Sequence, residues 1–347
     1  MRILFSKILV ISMLLFIGCS GSDDGDSPDV NGGGEPVVSS LQIFISADEV
    51  IVGSTVLFSV FDNNGKNRTS EAKFYVNEIE TSGSSHTFNN VGNFEVYAKL
   101  QNVKSQTEDI IVNQVPIEYK QYVLVEDYTG TWCGYCTRVS FAIEEVKKQT
   151  NDAVVIAIHQ GDPMQFSLES TLRSHFGVTG FPTAFIDREA RWAPPEPNSM
   201  DQVLGKLSKK AYAALAMESS IDGDMLTIKV KLKMGYNYQA LKLGLYIVED
   251  KLIYDQRNWT SYYQGDPIVD YEHNDVLRKN ITGLLGDQIP SDQLGHDKEF
   301  EKEFQYVIPS EFNKDNIRMI AFVTEASKKE TINVRSSKIG ETQSFEK

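Results

Sequence analysis

The chain has 347 residues, of which 41% are hydrophobic and 24% charged. That is enough apolar material for a packed core, which excludes wholesale disorder or a fibrous repeat; at roughly 150 residues per domain, two or three domains are expected. A net charge of −14, with no Lys/Arg-rich stretch, repels phosphate backbones and makes nucleic acid a poor partner.

Arg2 and Lys7 precede an apolar run from Ile8 to Gly18. The run is too short for a comfortable membrane span and reads as an export signal over residues 1–18. Gly18-Cys19 at its end resembles the bacterial lipoprotein signal, in which the Cys thiol is acylated and becomes the first residue. The resemblance implies a lipid anchor on Cys19; a plain secretory signal or an uncleaved anchor is the competing reading. Residues 19–39 carry Ser, Asp and Gly with almost nothing to bury, and read as a flexible acidic linker. The Ser22-Asp23-Asp24 run resembles the surface-export signal of Bacteroidetes lipoproteins, and a solvated linker would look the same.

From 40 to 114 the sequence alternates in short runs: Leu41, Ile43 and Ile45, then Val56, Phe58 and Val60, then Phe94, Val96, Ala98 and Leu100. These are half-buried strands separated by turns such as Asp62-Asn63-Asn64-Gly65, and the length suits an immunoglobulin-like β-sandwich acting as a spacer.

Residues 115–218 have a different rhythm. A strand at Tyr122 to Glu126 precedes a helical stripe of Val139, Ala142, Ile143 and Val146. An apolar strand follows at 153–158, then a helix carrying Leu168, Leu172 and Phe176. Strand, helix, strand, helix reads as a central α/β domain built on a βαβ unit. Strands at 184–186 and 190–193 follow, with a closing helix whose Leu204, Leu207, Ala211 and Leu215 face one way.

From 219 to 347 alternation returns. Leu226, Ile228, Val230, Leu232 and Met234 interleave with Thr227 and three lysines, and further strands at 241–248, 300–308, 316–324 and 332–334 point to a C-terminal β-sandwich. Between its second and third strands runs an excursion from 254 to 298, too long for a simple connector. It is rich in aromatics: Tyr254, Trp259, Tyr262, Tyr263 and Tyr271. They suit either a binding surface or a packing of the excursion onto the sandwich. No internal repeat is evident.

Chemistry concentrates at Trp132-Cys133-Gly134-Tyr135-Cys136, after a strand and at the start of a helix. If Cys19 carries lipid, Cys133 and Cys136 are the only cysteines left, in an oxidising compartment. The N–H groups and dipole of a helix N-terminus stabilise a thiolate. Two intervening residues leave the second sulfur able to attack a mixed disulfide formed on the first. Cys133 is thus expected to be the exposed attacking thiol and Cys136 the shielded resolver.

The wider pattern is similar to the thioredoxin superfamily over about one hundred residues. By that resemblance Asp127, six positions before Cys133, is a buried acid that takes the proton from Cys136. Pro182 in Gly180-Phe181-Pro182-Thr183 stands in the cis-proline loop, whose backbone edge would pair with substrate. Tyr135 departs from the proline of thioredoxin itself, which leaves the redox poise open. His159, at a strand end, is expected to be solvated rather than near the dithiol, and His175 to lie at the surface.

Across the whole chain, the lipoprotein signal, the segment Asp127-Tyr128-Thr129-Gly130-Thr131-Trp132-Cys133-Gly134-Tyr135-Cys136 and the stretch Glu272-His273-Asn274-Asp275-Val276-Leu277-Arg278 resemble the outer-membrane-protein-28-related lipoproteins of Bacteroidetes. The resemblance implies location and fold better than activity. Three readings compete. One is thiol–disulfide exchange on envelope or surface proteins through Trp132, Cys133, Cys136, Asp127 and Pro182, with no cofactor. The second is a binding or adhesion lipoprotein whose CxxC is a structural disulfide. The third is a zinc site of Cys133, Cys136 and two of His159, His175, His273 and His296, for which no second paired-ligand motif exists.

Overall fold

The computed structural model describes residues 37–347. The signal, Cys19 and most of the linker lie outside the described residues. The chain divides into two compact units, one ending at Val115 and one running from Pro116 to Lys347.

Among its described residues the first unit holds nine strands: β1 (Leu41–Ile45), β2 (Glu49–Ile51), β3 (Thr55–Asp62), β4 (Lys73–Val76), β5 (Ile79–Glu80), β6 (Ser85–Thr87), β7 (Gly92–Leu100), β8 (Val103–Lys104) and β9 (Glu108–Asn113). They form a three-stranded sheet, β1-β3-β6, and a six-stranded sheet built on β2-β9-β7-β4-β5. The alternating residues meet in one core: Leu41, Ile43, Val56, Phe58, Val60, Phe74, Val96 and Ile110. Most pairs are antiparallel, but β2 and β9 run parallel.

The second unit begins with β10 (Tyr119–Lys120), β11 (Val123–Thr129), α1 (Thr137–Gln149), β12 (Ala153–His159), α2 (Glu169–His175), β13 (Thr183–Ile186), β14 (Ala190–Arg191) and α3 (Asp201–Leu207). It continues with β15 (Lys210–Ala211), β16 (Ala213–Asp222), β17 (Met225–Met234), β18 (Leu241–Glu249), β19 (Leu252–Gln256), β20 (Ile268–His273), β21 (Val276–Asn280), β22 (Asp287–Gln288), β23 (Glu299–Val307), β24 (Ile317–Glu325) and β25 (Thr331–Lys338).

Every residue of β11 and of β12 is buried, as a parallel pair covered on both faces requires. The stripe Val139, Ala142, Ile143 and Val146 is the buried face of α1. It packs on Val123, Val125 and Val155.

The closing helix is shorter than its periodicity suggests. It ends at Leu207, while Ala211 and Leu215 lie in strands. Cross-strand pairing decides the matter: β16 pairs with β17 along its whole length, setting Leu215 opposite Leu232, and these nonlocal pairs override a helical spacing of apolar residues. The boundary expected at 218 consequently falls inside β16.

The α/β and C-terminal parts share one sheet. Its order is β14-β13-β11-β12-β21-β18-β24-β25, with β22 on β18. The joint is β21, which pairs parallel with β12 at Ala157 and Val276 and antiparallel with β18. One face of β18 and β24 packs on the three-stranded sheet β16-β17-β23 through Leu243, Leu245, Met319, Ile228 and Val230. The opposite face, with Tyr246, Val248, Ile320 and Phe322, closes a core with Leu124, Tyr128, Ile156 and Phe185. The C-terminal part is thus two-layered, as expected, but one of its layers is the outer half of the α/β sheet.

Candidate functional site around the Cys133–Cys136 disulfide

The C-terminal end of β11 turns through Gly130 and Thr131 into the CxxC, and α1 starts immediately after Cys136. Cys133 N–H donates to Gly130 O and Cys136 N–H to Cys133 O, folding the motif into consecutive turns. Gly130 is required here, since a Cβ would lie 2.7 Å from Trp132 Nε1 and 2.8 Å from Gln160 O. The two sulfurs are bonded, with Cα atoms 5.4 Å apart. The first turn of α1 carries no acid and its last turn carries Lys147 and Lys148. The positive end of the helix dipole thus faces the motif without a carboxylate to offset it.

Cys133 is 5% exposed and Cys136 1%. The expected contrast between an exposed thiol and a shielded one is therefore slight in the oxidised state: the bond holds both sulfurs against the protein. Trp132 donates from Nε1 to Gln160 O at 2.7 Å and meets Phe181 edge to face. The Phe181–Pro182 bond is cis, and β13, which follows it, pairs antiparallel with β11, setting Thr183 opposite Tyr128. That register brings the Pro182 loop and the CxxC to the same end of the sheet.

Asp127 is buried, and its Oδ1 has no hydrogen-bond partner. Burial, followed by the charges of Glu196 and Asp275, pushes its carboxyl well above the usual range. It faces a cleft of about 380 Å³ also lined by Lys147, His159, Gln256, Tyr271, His273 and Arg318.

His159 is buried rather than solvated, and its Nδ1 lies 2.7 Å from Asp162. Asp162 also accepts from the backbone N–H of Thr131 and Met164. Burial opposes ionisation of Asp162, but these bonds outweigh it and hold the carboxyl below its ordinary value. The His159 ring packs on His273 at 5.3 Å. Burial and the neighbouring His159 push His273 down to about 4. His175 is half-buried and meets Phe176 edge to face. Of the histidines weighed as zinc ligands, His159 and His273 meet, while both cysteine sulfurs are engaged with each other.

The excursion supplies residues that sequence reasoning did not place at the site. β19 and β20 form a hairpin whose connecting segment lies along the CxxC and α1. Gln256 Nε2 donates to Cys133 O at 3.1 Å and to Gly130 O at 3.4 Å. Arg257 N–H donates to Thr131 O, and Trp259 N–H to Gly134 O, both at 2.8 Å. Thr137 Oγ1, in the first turn of α1, donates to Asn258 Oδ1. The aromatics follow: Trp259 meets Tyr135, Tyr262 stacks on Phe141, and Tyr263 donates to Glu144. They pack on α1 and the CxxC, not on the sandwich.

The stretch 272–278 makes the joint between the two halves of the sheet. Ala157 N–H donates to Asp275 O. The Asp275 carboxylate binds Lys147 of α1 at 2.5 Å and Arg318 of β24 at 2.6 Å, and Arg318 also grips Asp250 through two nitrogens. Arg278 pairs with the buried Glu249 at 3.3 Å. No local pattern signals such partners, since Lys147 and Asp275 are 128 residues apart.

A parallel strand pair, a CxxC at a helix N-terminus and a cis-proline loop beside it define a thioredoxin-like domain, and the thioredoxin family model matches residues 102–208. The model described as outer membrane protein Omp28 matches residues 169–343, half of the chain, and the chain belongs to this outer-membrane lipoprotein family. The structure of HBP35 of Porphyromonas gingivalis is similar at 18% identity, over 65% of this chain and 77% of that one, with a TM-score of 0.54, which shows a shared fold. A domain of the outer membrane lipoprotein Omp28 from the same organism aligns at 18% identity, over 38% of this chain and 92% of that one, with a TM-score of 0.26. No curated protein matches the chain.

Proposed function

We propose that this envelope lipoprotein carries out thiol–disulfide exchange on protein thiols or disulfides through Cys133 and Cys136. The observation that carries the reading is Asp127. A buried carboxyl without a partner costs stability, and a structural staple has no use for one, whereas a dithiol that opens and closes needs a proton donor and acceptor out of water. In the reductive half-reaction a partner thiolate attacks Cys133 Sγ and the Cys133–Cys136 bond breaks. Its electron pair leaves on Cys136, and the proton held by Asp127 neutralises that thiolate. A second partner thiolate then attacks the partner sulfur of the mixed disulfide and releases Cys133 as a thiolate. Trp132 and the Pro182 loop flank the sulfur that is attacked.

The remaining assignments follow from the sequence: a lipid on Cys19 that anchors the chain to the outer membrane, an acidic run behind it that directs the chain to the cell surface, and an immunoglobulin-like spacer at 40–114. The competing reading, a binding lipoprotein with a permanently closed CxxC, is favoured by the low exposure of both cysteines. Trapping in cells separates the two. Cys136→Ser is expected to accumulate high-mass mixed disulfides with envelope proteins that collapse on reduction, and Cys133→Ser to give none. Absence of adducts in Cys136→Ser, with no reduction of an insulin-type disulfide by the purified protein, would leave the staple.

A further inference from the structure

We propose that Trp259, delivered by the C-terminal excursion, is a specificity-determining residue of the dithiol site, and that it selects polypeptides carrying an aromatic side chain next to the reacting cysteine. The inference rests on the exchange reading and names its substrate class.

Trp259 is 57% exposed, yet its place is fixed. Its backbone N–H is bonded to Gly134 O, and its ring lies directly on Gly134, the residue next to Cys133. A Cβ at that position would sit 2.3 to 2.8 Å from three atoms of the indole, so only glycine between the cysteines lets the ring approach. Tyr135, 53% exposed, meets the same ring edge to face at 5.5 Å. On the other side of Cys133 stands Trp132, 45% exposed, held by Gln160 O and Phe181. Three large aromatic side chains, each about half in water, thus flank one disulfide.

The segment that presents Trp259 is built from polar contacts with the motif. Gln256 is 4% exposed and bridges Gly130 O and Cys133 O, while Asn258, 6% exposed, binds the backbone of Tyr263 and Gly265 and accepts from Thr137. This scaffold fixes a half-exposed indole on Gly134, one residue from Cys133. Rigid, half-exposed Trp and Tyr side chains supply contact area at low entropic cost and are enriched among residues that dominate binding energy. An aromatic side chain on the incoming peptide completes the edge-to-face and stacked pairs that Trp132, Tyr135 and Trp259 leave open.

The test follows the first chemical step in the full chain bearing Cys136→Ser. The Cys133 thiolate attacks the peptide sulfur of a peptide–thionitrobenzoate mixed disulfide. The peptide becomes joined to Cys133, and thionitrobenzoate leaves as a coloured thiolate. Two peptides are compared, with Phe or with Gly on either side of the cysteine. The Phe peptide is expected to react about tenfold faster, that preference to shrink to within about twofold in Trp259→Ala, and Trp259→Phe to restore most of it. A preference kept by Trp259→Ala, or absent before that change, overturns the inference while exchange stands. If Trp259→Ala accelerates both peptides equally, the excursion is a cover and the inference falls. If neither peptide reacts in any variant, the exchange reading itself fails.

Discussion

Burial keeps Asp127 protonated well above the usual carboxylate range, so between the carboxylate's ordinary titration and its raised one the native state holds a proton that the unfolded chain has released. Stability therefore falls as pH rises through that window, by up to about 1.4 kcal/mol per pH unit. Asp127→Asn is expected to abolish this slope and to be the more stable protein in alkaline buffer, as urea melts at a series of pH values would show. An unchanged slope would mean that Asp127 ionises normally. His273 acts with the opposite sign. Its native value of about 4 lies below its unfolded value, so between pH 6.5 and 4 the unfolded chain binds the extra proton, and stability is lost as pH falls through that range. His273→Gln is expected to remove that acid-side loss in the same melts.

Among the elements, the segment after β19 shows how a connection acquires structure from its neighbours. Gln256 alone gives its side-chain amide to three carbonyls, of Gly130, Cys133 and Arg257. The carbonyls of Gly130 and Cys133 also accept from the backbone N–H of Cys133 and Cys136, so losing the amide removes their second donor, at about 0.5–1.5 kcal/mol per bond. Gln256→Ala is accordingly expected to loosen the segment, with amide exchange at Arg257 and Trp259 accelerating by at least tenfold while β24 keeps its protection. Equal protection at both amides before and after the change would show that the backbone bonds suffice. α3 and β16 teach a related lesson. The apolar spacing from Leu204 to Leu215 suits a helix, yet the residues from Ala213 onward pair with β17 in a hairpin closed at Asp222 and Met225, and that pairing outweighs the helical spacing.

At the scale of the molecule, the α/β and C-terminal parts stand or fall together. Arg188 of the α/β part is fully buried against Glu126, at 2.6 Å, and lies over the ring of Phe322 at 4.2 Å on β24. Arg188→Ala leaves Glu126 buried and uncompensated, and is expected to cost about 3–5 kcal/mol in a single unfolding transition shared by residues 116–347. Two separate transitions would contradict the common core. A chain ending at Glu218 loses Tyr246, Val248, Ile320 and Phe322 from the core it shares with Tyr128 and Ile156. It is expected to bind hydrophobic dyes and be digested rapidly. Cys19→Ala is expected to abolish membrane partitioning while leaving the disulfide intact, and continued partitioning would remove the lipid from the account.

Short-range chemistry made several features readable from the amino acids. Strand alternation, the stripe on α1 and the CxxC at a helix start depend on periods of two or three to four residues or on motif spacing, and those are local properties of the chain; the parts of Asp127 and Pro182 were implied by the resemblance to the thioredoxin superfamily. Only the tertiary structure decided that β21 would weld the two halves into one sheet, that the excursion would lie along the dithiol, and that Gln256, Asn258 and Trp259 would belong to the site. Those outcomes depend on contacts between residues more than a hundred positions apart. Which buried donor meets which carbonyl is set by where the packed sheet places them, and no window of sequence contains that information.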